Sequence, residues 1–190
     1  RTKRIKLHLP LVLKSQVPVG NRATQGGIQI ITRTRQLPPT LCRLWRTPID
    51  NQYPSSILAE EKIPAVAERY VSVSYDTAIR GPVLSIAARG GTGVYHATTI
   101  PINPELGLPA FAIREALLAA RLNPRSAVAT TISSLWRLFT QEKALLAEIN
   151  PLFEQANGQV VAGDAKIILD DHVVQPEARP YVSLGGDIAV

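Results

Sequence analysis

Four polar side chains set inside one apolar stretch are the residues of this 190-residue chain whose types and spacing could do chemistry. In LLAEINPLFEQANGQVVAGDAKIILDD, residues 145–171, Glu148, Asn150, Asp164 and Lys166 interrupt runs of Leu, Ile and Val. A carboxylate and a carboxamide are hard oxygen donors. Mg2+ takes few such protein ligands and completes its shell with water and phosphate oxygens. A carboxylate and an ammonium nearby could support that set or simply pair with each other.

The element that must position them is a hairpin. QANGQ reads as a three-residue loop, Ala156-Asn157-Gly158, a type I turn with Gly158 in the left-handed region. That loop puts Gln155 opposite Gln159, Asn150 opposite Asp164 and Glu148 opposite Lys166. Alternation then places all four polar residues on one face, beside Leu146, Leu152, Val160 and Ile168. Ile149, Phe153, Val161, Ala165, Ile167 and Leu169 form the other, core-directed face. A slip of one residue would separate Asp164 from Asn150. Spacing alone leaves two readings open: a metal site, or a cross-strand polar pair with a Glu148–Lys166 ion pair worth ~0–1 kcal/mol.

Composition bounds the class of protein without naming a function. Apolar residues make up 45%, charged residues 19% and aromatics 5%, the profile of a globular chain with an aliphatic core. No apolar run approaches the ~20 residues of a membrane span. The basic, apolar start RTKRIKLHLPLVLKS is broken by His8 and Pro10 and lacks a small-residue cleavage site, so it reads as a strand approach rather than a targeting segment. Met is absent, and we expect a fragment or a processed chain. Cys42 alone excludes an internal disulfide, and His8, His96 and His172 lack metal-ligand spacing. Ten of the 21 Lys and Arg residues precede Asp50, the only acid of the first 50 positions. Such a lobe suits nucleotide phosphates, CoA or nucleic acid, or is a solvated basic face. Nucleic acid has only the charge in its favour, with no aromatic platform or motif beside it, and is not expected as a partner.

Along the chain, 11–13 and 28–31 read as strands around a loop carrying three Gly and a Pro. QLPPTLCRLWRTPIDNQYPSS reads as a connector with one short helical turn. Strands are expected near 56–60 and 68–75, the latter in an antiparallel hairpin with GPVLSIAARGG. A helix follows Pro109 with Ile113, Leu117 and Leu118 at helical spacing, and a second starts at Ser126 with the stripe Val128, Ile132, Leu135 and Phe139. Trp136 joins that stripe in the core. Strands at both ends with consecutive helices between them make the class α+β.

AEINPLFEQANGQVVAGDAK resembles the metal-binding hairpin of the ATP-grasp domain in ADP-forming acyl-CoA ligases, the family of the succinyl-CoA synthetase β subunit, related to ATP-citrate lyase and malate-CoA ligase β chains. That family shows E-I-N-P-L followed, at the interval from Asn150 to Asp164, by D-[AG]-K. LVLKSQVPVGNRATQGGIQI is similar to its V-V-K-x-Q-V-x-x-G-G-R-G-K-x-G-G-V segment, ILAEEKIPAVAERYVSVSYD to its I-L-V-E…E-x-Y-L segment, and LSIAARGGTGV to the strand and Gly-Gly turn that follow.

The resemblance implies an ATP-grasp fold, two lobes with a nucleotide cleft between them, here as a partial N-terminal lobe (1–55), a main lobe (56–175) and the start of a linker to a ligase-type domain (176–190). It implies ATP as substrate and Mg2+ held by Asn150 and Asp164, with Glu148 and Lys166 in support. Lys14 would contact phosphates, Gly20, Asn21, Arg22 and Ala23 would occupy the loop above them, and Glu60 and Glu68 would reach base and sugar. It implies a ligase that joins a carboxylic acid to CoA, an α-type CoA-binding partner subunit carrying the phosphorylated histidine, and a bacterial cytoplasmic or mitochondrial matrix location. The chain departs from the pattern where family Gly is Asn21 and Ala23 and the loop Lys is Thr24, and added Cβ atoms alter phosphate cradling.

Overall fold

The computed structural model describes residues 6–19, 22–91, 96–170 and 172. The chain divides into two compact units, one running to Ile63 and the other beginning at Pro64.

In the first unit, β1 (Leu11–Gln16), β2 (Ile28–Ile31) and β3 (Ser56–Glu61) form an antiparallel sheet in the order β2-β1-β3. Because β3 pairs with β1, the boundary between units falls beyond position 55. A 3-10 turn, Thr34–Gln36, leads into α1 (Leu37–Arg46). This ten-residue helix corrects the expectation of a connector. Pro38 and Pro39 sit in its first turn, where N–H groups have no intrahelical acceptor to lose. Leu37, Leu41 and Leu44 then recur at helical spacing and close a core with Leu11, Leu13 and Ile31. The alternate residues of β1, Val12, Lys14 and Gln16, lie on the sheet's other face.

In the second unit, β4 (Ala65–Asp76), β5 (Gly81–Ala87), β6 (Thr98–Pro101), β7 (Ala144–Gln155) and β8 (Val160–Ala162) are ordered β6-β5-β4-β7-β8, and β9 (Ala165–Leu169) also pairs with β7. Every pairing is antiparallel, and β4–β5 is the expected hairpin. Two helices, α2 (Ala110–Ala119) and α3 (Ala127–Gln141), pack on one face. Val71, Val73, Leu84, Ile86, Ala147 and Ile149 meet Ile113, Leu117 and the full expected α3 stripe there. Trp136 is partly buried against this core and stacks on Phe139. Leu118 corrects its assignment. One step of ~100° beyond Leu117 carries it off the buried side, and it is 60% exposed. Ser126 is the α3 N-cap, but its hydroxyl donates to the Asn123 carbonyl instead of accepting from the helix.

Candidate functional site

The β7–β9 hairpin has the register read from its turn. Gly158 sits at φ +81°, its N–H donates to the Gln155 carbonyl at 2.9 Å, and Gln155 N–H donates to the Gln159 carbonyl at 2.8 Å. The pairing continues to Asn150, whose N–H donates to the Asp164 carbonyl at 3.1 Å, and to Glu148 opposite Lys166. Asn150 and Asp164 are therefore direct cross-strand partners, whose Cβ atoms lie about 5 Å apart in such pairs.

The core face of the hairpin needs correcting. Between Arg69–Leu152 and Val71–Ile149 the β4–β7 register shifts, so Asn150 and Pro151 together stand against Tyr70. This is a β-bulge, and Pro151, lacking an N–H, occupies it. The extra residue resets the alternation, so Leu152 joins Ile149 in the core, 1% exposed. Phe153 becomes half-buried. Val161, Ala165 and Ile167 are exposed, because β8 and β9 form the outer edge of the sheet.

Around the bulge three polar groups are held in place. The Asn150 carboxamide grips Gly91 twice: its Oδ1 accepts the Gly91 N–H at 2.6 Å and its Nδ2 donates to the Gly91 carbonyl at 3.1 Å. Gly91 has φ +87°, which favours glycine, and a Cβ there would stand 2.9 Å from Glu68 Oε2, so Glu68 lies against the same turn. Gly90 packs so closely on the Arg69 backbone that any Cβ would collide with its carbonyl. Arg69 in turn ties the strands together, donating through Nε and Nη2 to Glu154 Oε2 and through Nη1 to the Ala88 carbonyl.

Glu148 has a partner that the hairpin alone does not reveal. The Tyr70 hydroxyl, 3.0 Å from Ser72 Oγ, donates to Glu148 Oε2 at 3.1 Å. Burial raises the Tyr70 pKa above 10.0, and the Glu148 charge adds to the rise although the Ser72 bond opposes it, so the phenol remains a donor. Among the described residues Glu148 makes no ion pair with Lys166, although the two face each other. Thr99, Ser85, Ser72, Glu148 and Lys166 stand opposite one another in a polar row on the sheet face away from the helices. Tyr70 and Ser72 were not singled out from sequence. Their signal was the alternation Tyr70-Val71-Ser72-Val73-Ser74, which sets polar groups on one face of β4.

A cation at this place would be held by few protein atoms. No group of three or more His, Cys, Asp or Glu residues suited to a metal occurs among the described residues. Asn150 Oδ1 keeps one lone pair beyond its bond to Gly91, and Asp164 brings an exposed carboxylate whose Oδ1 accepts from the Ala165 N–H at 3.0 Å. One amide and one carboxylate oxygen fit a hydrated Mg2+ that takes its remaining ligands from phosphate and water.

In the first unit the structure brings Lys14 and Glu60 together, with Lys14 Nζ 2.7 Å from Glu60 Oε2. Val12 and Leu58 flank them on the same face, and Leu58 is 43% exposed. Arg22 and Ala23 begin a tight loop in which Gly26 N–H donates to the Ala23 carbonyl and Gly27 N–H to the Arg22 carbonyl. Gln25 and Asp50 exchange hydrogen bonds below it. Gly20 and Asn21 lie outside the described residues.

Comparison with known proteins agrees with this architecture. The family model described as ATP-grasp domain matches residues 2–154. The succinate–CoA ligase [ADP-forming] subunit beta of Bacteroides thetaiotaomicron is 28% identical over 86% of this chain and 46% of its own length. That of Methanocaldococcus jannaschii is 30% identical over 98% of this chain and 58% of its own length. The chain thus spans about half the length of the curated relatives it matches. Among solved structures, ATP citrate lyase from Methanothrix soehngenii superposes with a TM-score of 0.64 at 22% identity, covering 86% of this chain and 39% of its own. A Pyrococcus horikoshii protein superposes with a TM-score of 0.69 at 16% identity, covering 86% of this chain and 76% of its own. At these identities the superpositions establish the fold alone. No helix among the described residues is long and apolar enough to cross a membrane.

Proposed function

The chain belongs to the ATP-grasp domain family, and from that premise we propose that it is the Mg-ATP-binding part of an ADP-forming acyl-CoA ligase. The reaction is carboxylic acid + CoA + ATP to acyl-CoA + ADP + phosphate, with the phosphoryl group passing through a histidine of an α-type, CoA-binding partner subunit. The observation that carries the reading is the direct pairing of Asn150 with Asp164 across the hairpin.

Each residue has a physical task in it. Lys14 supplies a positive charge to the phosphates, pre-oriented by Glu60 at 2.7 Å. Arg22 brings its charged side chain to the same phosphates from a turn that the Gly26 and Gly27 N–H groups close on the Ala23 and Arg22 carbonyls, with Gly20 and Asn21 completing the loop. Glu60 and Glu68 accept from base and sugar, and the exposed Leu58 offers apolar surface to a flat base. Asn150 and Asp164 would hold Mg2+, with Glu148 in support and Lys166 facing Glu148 across the strand pair. Held there, Mg2+ would supply positive charge to neutralise what develops on the phosphate oxygens. The names of the Bacteroides and Methanocaldococcus relatives point to succinate as the acid. Malate and citrate are the competing substrates.

The test is ADP formation by the full-length protein with its partner subunit, dependent on CoA and on succinate, malate or citrate offered singly. Asp164→Ala is expected to lower turnover at least a hundredfold with one of these acids; unaltered turnover in that variant would defeat the reading. A second reading, an interaction module with the fold but no turnover, is favoured by Asn21, Ala23 and Thr24, which stand where the resembled motif has Gly, Gly and Lys. Copurification with the partner without nucleotide binding would select it.

A further inference from the structure

The pair Tyr70–Glu148 lies beside the cation donors without belonging to them. Glu148 and Asn150 alternate onto the same face of β7, roughly 7 Å apart along the strand. The Asn150 carboxamide is turned onto Gly91, so it does not meet the Glu148 carboxylate. Tyr70 takes one oxygen of that half-buried carboxylate, Oε2. The other, Oε1, has no partner among the described residues. That oxygen is not sealed from solvent, and a hydrated divalent cation is surrounded by strongly polarised water donors suited to it. Directly across the strand pair stands Lys166, the donor that would otherwise claim Glu148.

We infer that Tyr70 is a positioning residue for the cation site: its hydroxyl holds Glu148 away from Lys166, so that Oε1 can accept a hydrogen bond from a water on a cation held at Asn150 and Asp164. Ser72, 3.0 Å from the same phenol oxygen, fixes the phenol's orientation. This rests on the reading of Asn150 and Asp164 as cation ligands. Partners of this kind, one shell outside a metal, typically govern about 10–100-fold of its affinity.

The experiment is Mn2+ binding to the full-length protein with ADP, followed by electron paramagnetic resonance, alongside ADP affinity measured without metal. Tyr70→Phe is expected to weaken Mn2+ about tenfold while metal-free ADP affinity stays put, a split that a folding defect would not produce. Glu148→Gln should weaken Mn2+ by the same factor, and the double variant should be no worse than either. Lys166→Ala placed on Tyr70→Phe should restore most of the affinity by removing the competing partner. Wild-type Mn2+ affinity in Tyr70→Phe, additive losses in the double variant, or no recovery with Lys166→Ala would each overturn the inference. Asp164→Ala separates the two layers. If it too binds Mn2+ normally, the cation ligands themselves are misassigned; if it alone loses Mn2+, only the role of Tyr70 falls.

Discussion

Replacing Asn150 by Ala removes two hydrogen bonds and no appreciable apolar packing. The structure gives the loss in parts: an acceptor for the Gly91 N–H at 2.6 Å and a donor to the Gly91 carbonyl at 3.1 Å, in a half-buried turn. At about 1 kcal/mol net per bond, the variant should lose ~2 kcal/mol of stability. For a domain of this size that lowers the thermal midpoint by about 4–8 °C. Urea unfolding followed by fluorescence measures it cleanly in a Trp45→Phe background, where Trp136 reports only on the second unit. The midpoint should fall with an unchanged slope, since the surface exposed on unfolding hardly changes. Asp164→Ala is the control. Asp164 is exposed, and its removal should cost no more than about 0.5 kcal/mol. If Asn150→Ala were no less stable than Asp164→Ala, the grip on Gly91 would contribute nothing, and Asn150 would serve the cation alone.

Three other outcomes follow from the packing. Ser15 is fully buried with an unpartnered hydroxyl, so Ser15→Ala should be neutral or stabilising by up to ~1 kcal/mol, as chemical denaturation would show. Gly90→Ala should destabilise the second unit by at least ~2 kcal/mol, because its methyl collides with the Arg69 backbone rather than with a movable side chain; a near-neutral thermal shift would contradict this. Tyr70 has a folded pKa raised above 10.0, so its contribution is complete below pH 10 and is lost as the pH climbs through the folded value. Wild type should therefore lose more stability than Tyr70→Phe between pH 9 and about pH 11, in paired urea titrations.

The hairpin was legible in sequence because its turn and its pairing are local. Gly158 sets the loop, and the loop sets which residue faces which as far as Glu148 and Lys166. The bulge was not legible, since it exists only relative to β4, a strand distant in sequence, and one extra residue there exchanged Leu152 and Phe153 between faces. The contacts that hold the site share this character: Asn150 with Gly91 and Glu148 with Tyr70 join residues far apart along the chain. Helix α1 was missed for the opposite reason. Pro38 and Pro39 break a helix in its interior, whereas in a first turn they break nothing. Lys14 and Glu60 were picked from motifs in separate segments, and pairing of β1 with β3 is what makes them neighbours.

Calorimetric titration of a non-hydrolysable ATP analogue into the full-length protein, with and without Mg2+, tests the central claim most directly. The account predicts saturable binding that Mg2+ strengthens at least tenfold in wild type, with that enhancement abolished in Asp164→Ala and overall affinity reduced in Lys14→Ala. Binding indifferent to Mg2+, or an Asp164→Ala variant that keeps the full enhancement, would contradict it.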